Sequence, residues 1–419
     1  MTTNQSPATL FTVTSLGCKV NQAESAWIKD QLGEEYSPSA STALLFTCAV
    51  TARASRQSQQ MARRLSREYS LVIVTGCDVQ AHPEKYPQAA ILPRYRLAGA
   101  KELIQLCRPL PLETYPLPAP EQGRFSPGLR KPSAEYTRGQ LKVQDGCDAF
   151  CSYCIVPHTR GKPRSLPLVQ ACASFIQLAQ AGAREVVLSG IHLGRYAIPG
   201  VDDALTFLLQ HLLSMHRLPR IRLSSLEANE LTPSLLELMA ADPRICPHLH
   251  LPLQSGSDKI LRAMGRTYQS DFYAQQVATA AKMLPGACLG ADVMVGFPGE
   301  TEEDFITTFE FLRTLPVNYM HVFPYSPRPG TKAAAMPEQV DSQIARERAQ
   351  RLRELSQAKW QKFMETQVGA SLQVLAESRS RGRAENYCLV KLPKGVEAGQ
   401  MLTINISKVG YGKKQVVLQ

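Results

Sequence analysis

The chain has 419 residues, of which 44% are hydrophobic and 20% charged, with a formal net charge of +11. This balance excludes a disordered or low-complexity chain and supplies two or three globular cores. No apolar run approaches the roughly 18–20 residues of a membrane span, and MTTNQSPATLF lacks the pattern of a signal peptide, so the expected location is the cytoplasm, with no membrane partner.

Residues 11–107 alternate short apolar runs with amphipathic stretches. Phe11–Ser15, Ala43–Thr47 and Leu71–Thr75 read as buried strands of one parallel sheet. Each leads into a turn that carries a cysteine: Cys18, Cys48 and Cys77. Ligands of open α/β sheets bind at the carboxyl ends of the strands, so these three thiols are expected at one edge. A proline-rich linker is predicted over 108–135.

From Gly139 a strand–helix alternation repeats. Predicted strands are Leu141–Gln144, Glu185–Ser189, Ile221–Ser225, His248–Leu253, Ala291–Gly296 and Tyr319–Tyr325, with helices such as Leu166–Ala181 and Glu302–Leu315 between them. Six such units imply a partial (β/α)6 barrel with catalytic groups at strand C-termini. A charged helix is expected over 342–366. Short strands then follow at Leu372–Leu375, Tyr387–Lys391, Met401–Ser407 and Gln415–Leu418, the pattern of a small all-β barrel. The fold class is α/β: an N-terminal Rossmann-like sheet domain (9–107), the barrel (136–366) and the all-β unit (367–419).

Eleven cysteines in such a chain point to metal or catalytic use more than to disulfides. The central motif is DGCDAFCSYCIVPHTRG, which spaces Cys147, Cys151 and Cys154 as CxxxCxxC. Three thiolates on a short loop can hold three irons of a 4Fe–4S cluster and leave the fourth open for the amino and carboxylate groups of S-adenosylmethionine (SAM). A zinc site is the alternative, but zinc usually takes four ligands, often as paired CxxC.

With these motifs the chain resembles the radical SAM methylthiotransferases along nearly its whole length. GCKVNQAES, TCAVTARASRQSQQ and VTGCDVQ resemble that family's N-terminal domain. The resemblance implies a second, auxiliary 4Fe–4S cluster on Cys18, Cys48 and Cys77. It also implies SAM contacts from Ser189 and Gly190 after the second barrel strand, Ser225 and Glu227 after the third, Gln254 after the fourth and Asp292 in the fifth, with Tyr153 near the adenine. GCKVNQ most resembles the branch that adds a methylthio group to C2 of N6-threonylcarbamoyladenosine (t6A) in tRNA. An electron donor of flavodoxin or ferredoxin type and a sulfur donor are the further partners implied.

The net positive charge favours a polyanionic partner. Arg53, Arg56, Arg63 and Arg67 recur at helical spacing, and the C-terminal unit, which resembles a TRAM domain, carries Arg379, Arg381 and Arg383. Both groups suit phosphate contacts; both also suit solvated surfaces. Isopentenyladenosine in tRNA and a ribosomal-protein side chain are the alternative substrates. A non-enzymatic RNA-binding iron–sulfur redox sensor is the alternative of another class.

Overall fold

The computed structural model describes residues 11–33, 37, 40–92, 125, 128–133, 135–215, 219–411 and 416–419. Most of the proposed linker lies outside them.

The N-terminal sheet is parallel, in the order β1 (Phe11–Ser15), β2 (Thr42–Thr47), β3 (Leu71–Gly76), β4 (Ala90–Ile91). Every residue of β2 is buried, as a central strand covered on both faces requires. Leu44 and Phe46 pack with Ile28 of α1 (Lys19–Leu32), whereas Ala43 and Leu45 pack with Leu65 of α2 (Ala52–Glu68). The period of two in the strand thus assigns one helix to each face. The Thr51 hydroxyl caps α2 by accepting from Ala54 N at 3.1 Å.

The six predicted parallel strands form. They are β6 (Gly139–Lys142), β9 (Glu185–Ser189), β10 (Arg220–Leu223), β11 (His248–His250), β12 (Cys288–Val295) and β13 (Tyr319–Pro324). β5 (Leu129–Arg130) pairs antiparallel at the outer edge of β6, and β7 (Gln144–Asp145) with β8 (Arg164–Ser165) forms a separate short ribbon. A bridge between Ile221 and Ile245 joins the two halves of the barrel wall. Leu141, Val186, Leu188, Ile221, Leu249 and Val293 face outward into one large core. Their strand neighbours, among them Gln140, Lys142, Glu185, Arg222, His248 and Asp292, therefore face the barrel interior. The wall stays open between β6 and β13, and α1 lies against β5 and β6 on the open side.

The C-terminal unit is a six-stranded sheet in the order β17 (Met401–Asn405), β14 (Ser371–Ala376), β15 (Arg381–Ala384), β16 (Leu389–Lys391), β19 (Val416–Leu418), β18 (Val409–Tyr411). It is antiparallel except for the β16–β19 pair. Buried charge docks it to the barrel. Arg220 donates to the carbonyls of Gln373 (2.5 Å) and Arg383 (2.9 Å), and Arg222 to those of Glu385 (2.9 Å) and Ala384 (3.0 Å). Both arginines also donate to Glu185 at 2.7 Å. Although burial opposes its charge, Arg222 and Arg220 hold the Glu185 carboxyl at about 2. At the same floor Tyr387 stacks on His248, with ring centroids 4.2 Å apart.

Candidate active site

The central cysteine motif forms a loop above the barrel, between β7 and the short helix α4 (Val156–Arg160). Gly146 opens the loop at φ +76°, where a Cβ would meet Lys162 O at 2.1 Å, so only glycine fits. Cys147 N donates to Gly161 O (2.9 Å), Ser152 N to Met264 O (2.9 Å) and Cys154 N to Cys151 O (2.9 Å). The loop is thereby held at both ends and in its middle. Burial raises the Cys151 thiol, and it raises Cys154 to about 12. Thiols held neutral by burial become stable thiolates once they bind metal cations, whose charge dominates such a site.

Of the residues predicted from sequence to contact SAM, Tyr153 lies in this loop and Glu227 reaches it through Arg266. Ser189 is buried at the end of β9, and a Cβ on Gly190 would meet the Gln144 side chain at 2.9 Å, so the backbone there is open to close approach. Ser225 is exposed. Gln254 sits at φ +74°, and its buried Oε1 has no hydrogen-bond partner among the described residues. A donor from a ligand would satisfy that oxygen. Asp292 lies in the interior, with Oδ1 3.0 Å from His250 Nε2. Glu227 is engaged by Arg266, whose Nη1 donates to Oε1 at 3.1 Å and lies 3.9 Å from Cys151 Sγ. Tyr153 packs edge-on to Phe297 at 6.5 Å.

The second triad stands at the carboxyl ends of β1, β2 and β3. Cys18 precedes α1, Cys48 follows β2, and Cys77 opens the short helix α3 (Cys77–Ala81). Gly17 at φ +99° lets Cys48 Sγ approach, since a Cβ there would lie 2.7 Å from that sulfur. Burial raises the Cys48 thiol to about 11, with Cys77 and Cys18 adding to the shift. Cys77 packs with Ile155, the neighbour of Cys154, and it also acts electrostatically on Cys154. The two triads therefore face each other.

Among the described residues, no three His, Cys, Asp or Glu side chains converge as a single-ion site. A 4Fe–4S cluster spreads its thiolates over separate irons, and the three-cysteine donor sets, glycine turns and unpartnered Gln254 oxygen fit such clusters with SAM beside one of them.

Four side chains escaped sequence reasoning. Arg160 is wholly buried between the triads. Its Nε donates to Cys77 Sγ (3.3 Å), Nη1 to Asp145 (2.8 Å) and Nη2 to Asn21 (2.7 Å), with Glu24 at 3.3 Å. Lys142 adds bonds to Glu24 (2.6 Å) and Asp145 (2.8 Å). His192 lies 3.3 Å from Cys147 Sγ and 2.7 Å from Glu230; although burial works against it, those partners raise it to about 10. Lys19 is exposed beside Cys18, and desolvation, then Arg138 and Arg222, lower it to about 8. The available signals were Arg160 inside IVPHTRG and a charged residue, Lys142, in an apolar strand.

The arginines expected at RNA divide. Arg53, Arg56, Arg63 and Arg67 form one exposed stripe of α2, opposite its buried Ser58, Ala62 and Leu65. Arg379 and Arg381 are exposed. Arg383 departs from the expected solvated surface. It is half-buried over the Tyr387 ring at 4.6 Å, donates to Tyr387 O at 3.1 Å and lies 3.5 Å from Glu377.

A model of the radical SAM superfamily matches residues 141–312, and one described as uncharacterized protein family UPF0004 matches residues 10–92. The chain is 36% identical to the threonylcarbamoyladenosine tRNA methylthiotransferase of Aquifex aeolicus, across 94% of this chain and 98% of that one. The chain belongs to the radical SAM methylthiotransferases. It is 34% identical to the threonylcarbamoyladenosine tRNA methylthiotransferase of Bacillus subtilis, with 95% and 93% covered. With the tRNA-2-methylthio-N(6)-dimethylallyladenosine synthase of Sphingopyxis alaskensis it shares 30%, with 97% of each covered. Among solved structures, the radical SAM methyltransferase TsrM from Kitasatospora setae matches with a TM-score of 0.54 at 14% identity, covering 75% of this chain and 72% of that one, a likeness of fold. As a member of this family the chain is a transferase, and the family implies a 4Fe–4S cluster and SAM. No described helix is long and apolar enough to cross a membrane.

Proposed function

We propose that this methylthiotransferase acts in the cytoplasm on tRNA and places a methylthio group on C2 of t6A next to the anticodon. The observation that carries the two-cluster reaction is that Cys18, Cys48 and Cys77 face Cys147, Cys151 and Cys154 across the Arg160 network. The choice of base rests on the relatives in Aquifex aeolicus and Bacillus subtilis, whose names specify threonylcarbamoyladenosine.

When bound, the two 4Fe–4S clusters and SAM would supply a 5′-deoxyadenosyl radical and a sulfur that takes a methyl group and is then transferred with it as the methylthio group. The residues hold, orient and shield. Cys147, Cys151 and Cys154 hold the radical cluster, and Cys18, Cys48 and Cys77 the auxiliary one. Ser189, Gly190, Ser225, Glu227, Gln254 and Asp292 bind SAM, and Tyr153 backs its adenine. Arg266 fixes Glu227 in place. The C-terminal unit covers the barrel floor through Arg220, Arg222 and Tyr387, which limits water around the radical. A flavodoxin- or ferredoxin-like protein supplies electrons, and a separate donor supplies sulfur. The units are 9–107, a linker over 108–135, 136–366 and 367–419.

Mass spectrometry of tRNA nucleosides tests this reading. A strain lacking the gene should accumulate t6A and lose its 2-methylthio derivative. Loss of a methylthio group from isopentenyladenosine instead, with t6A unaffected, would reassign the base.

RNA contact has its own test. Neutralising Arg379 and Arg381 should flatten the dependence of log affinity on log salt by up to about one unit per lost phosphate contact. Adding Arg383→Gln should change the slope little, because that guanidinium is already engaged by Tyr387 and Glu377. Filter binding across a salt series measures both; an unchanged slope in the double variant would move the contact to the α2 stripe.

A further inference from the structure

Arg160 is the last residue of α4, in the barrel segment that carries Cys154. Its guanidinium nevertheless reaches the N-terminal domain. Nε donates to Cys77 Sγ at 3.3 Å. The other two nitrogens are held on three further partners. Nη1 donates to Asp145 of β7 at 2.8 Å and to Glu24 of α1 at 3.3 Å, and Nη2 donates to the amide oxygen of Asn21, also on α1, at 2.7 Å. Anchors on both domains leave a planar group no freedom to turn, so the Nε–H stays aimed at the sulfur. Arg160 is 3% exposed and Cys77 5%, so water does not compete for this bond. The reduction potential of an iron–sulfur cluster follows the hydrogen bonds to its sulfurs, the charge around it and its exposure to solvent. At Cys77 one arginine bears on all three.

We propose that Arg160 is a positioning residue that raises the reduction potential of the auxiliary site through its hydrogen bond to Cys77. This rests on the reading of Cys18, Cys48 and Cys77 as ligands of a 4Fe–4S cluster. Reduction by one electron adds one negative charge to such a cluster. A cationic donor on a ligand sulfur binds the more negative state more strongly, and so favours reduction. The N-terminal domain supplies only the acceptors Asn21 and Glu24 to this guanidinium, and the donor comes from the barrel. The auxiliary site therefore reaches its working potential only when the sheet domain is closed on the barrel. Lys142, which bonds Glu24 at 2.6 Å and Asp145 at 2.8 Å, is the second buried cation of the network and separates the two ways in which charge could act. Its removal takes one positive charge from the network and leaves the Arg160–Cys77 bond in place.

The test uses the full-length chain with Cys147, Cys151 and Cys154 changed to Ala, so that only the N-terminal cluster reports. After anaerobic reconstitution, a redox titration followed by electron paramagnetic resonance gives its midpoint potential. Arg160→Lys keeps the charge but loses the directed Nε–H. It should disfavour reduction about tenfold, the scale of a hydrogen bond to a charged group, which lowers the midpoint by about 60 mV at about 59 mV per tenfold. Lys142→Met should lower it by less. A midpoint for Arg160→Lys within about 15 mV of the parent, under a twofold change on the same scale, overturns the inference and leaves Arg160 a structural strut. A Lys142→Met shift as large as that of Arg160→Lys overturns it in favour of net charge. Loss of the cluster from Arg160→Lys overturns it too and makes the arginine an anchor of Cys77. A measurement without substitution at Arg160 stands beside these. With 15N-labelled arginine, the reduced parent should show a nitrogen coupling to the cluster in pulsed resonance spectra, and its absence overturns the hydrogen bond itself. The underlying reading is tested separately by iron content: a parent that binds no iron shows that Cys18, Cys48 and Cys77 hold no cluster, and the inference falls with that reading.

Discussion

Alanine at Cys147, Cys151 and Cys154 together is expected to abolish reductive cleavage of SAM and remove about half of the roughly eight irons bound after anaerobic reconstitution. The three thiols are the expected iron ligands of this loop, so their loss leaves no thiolate there to hold the cluster. Alanine at Cys18, Cys48 and Cys77 should separate the two functions. SAM cleavage should remain measurable, because the loop over the barrel keeps its own backbone bonds to Gly161 and Met264. Methylthio insertion should fall to background, because the transferred sulfur loses its anchor. Iron content, 5′-deoxyadenosine yield and nucleoside mass spectra read these outcomes. SAM cleavage in the first triple variant would remove the central assignment, and full product from the second would remove the role of the N-terminal thiols.

Arg160→Met should destabilise the protein by about 3–5 kcal/mol, the cost of breaking a buried ion-pair network from one side. Arg160 and Lys142 carry two positive charges, and Glu24 and Asp145 two negative ones, all at 0–1% side-chain exposure. Methionine fills much of the volume but leaves the carboxylates to Lys142 and their remaining partners. It also removes the donor to Cys77 Sγ and the bond to Asn21. Arg160→Lys should recover less than half of the loss, because an ammonium cannot reach a thiol, two carboxylates and an amide in fixed directions as a planar fork does. Urea denaturation of the metal-free variants measures the change without interference from cluster loss. A shift within about 0.5 kcal/mol for Arg160→Met, the range of an unremarkable surface substitution, would show that the network contributes little to the seam between the sheet domain and the barrel.

The periodic elements were legible because their cause is local. The predicted Phe11–Ser15 and Glu185–Ser189 coincide with β1 and β9, and the charged helix predicted over 342–366 is found at Ser342–Glu365. In each, the spacing of apolar residues reports which face is buried. Boundaries moved where tertiary pairing decides. Predicted His248–Leu253 shortens to His248–His250, because Pro252 interrupts the run and Gln254 takes a positive φ. β15 was missed: RGRA has no apolar alternation, and it is a strand because β14 and β16 pair on either side, with Gly382 packed where a Cβ would meet Val374 at 2.5 Å. The same pairing brings Arg383 inward, against the expectation of a solvated basic surface.

By itself the sequence determined the two cysteine triads, the parallel strands that deliver them and the likeness to a family, since each depends on spacing within a short segment. Only the tertiary structure decided that the triads face each other, that Arg160 joins Asn21, Glu24, Asp145 and Cys77, and that Gln140 of the barrel binds the Lys19 carbonyl beside Cys18. The physical reason is that these relations join residues up to 139 positions apart in the chain. A buried charge is placed by its partners, and those partners become neighbours only when the sheet domain closes on the barrel wall.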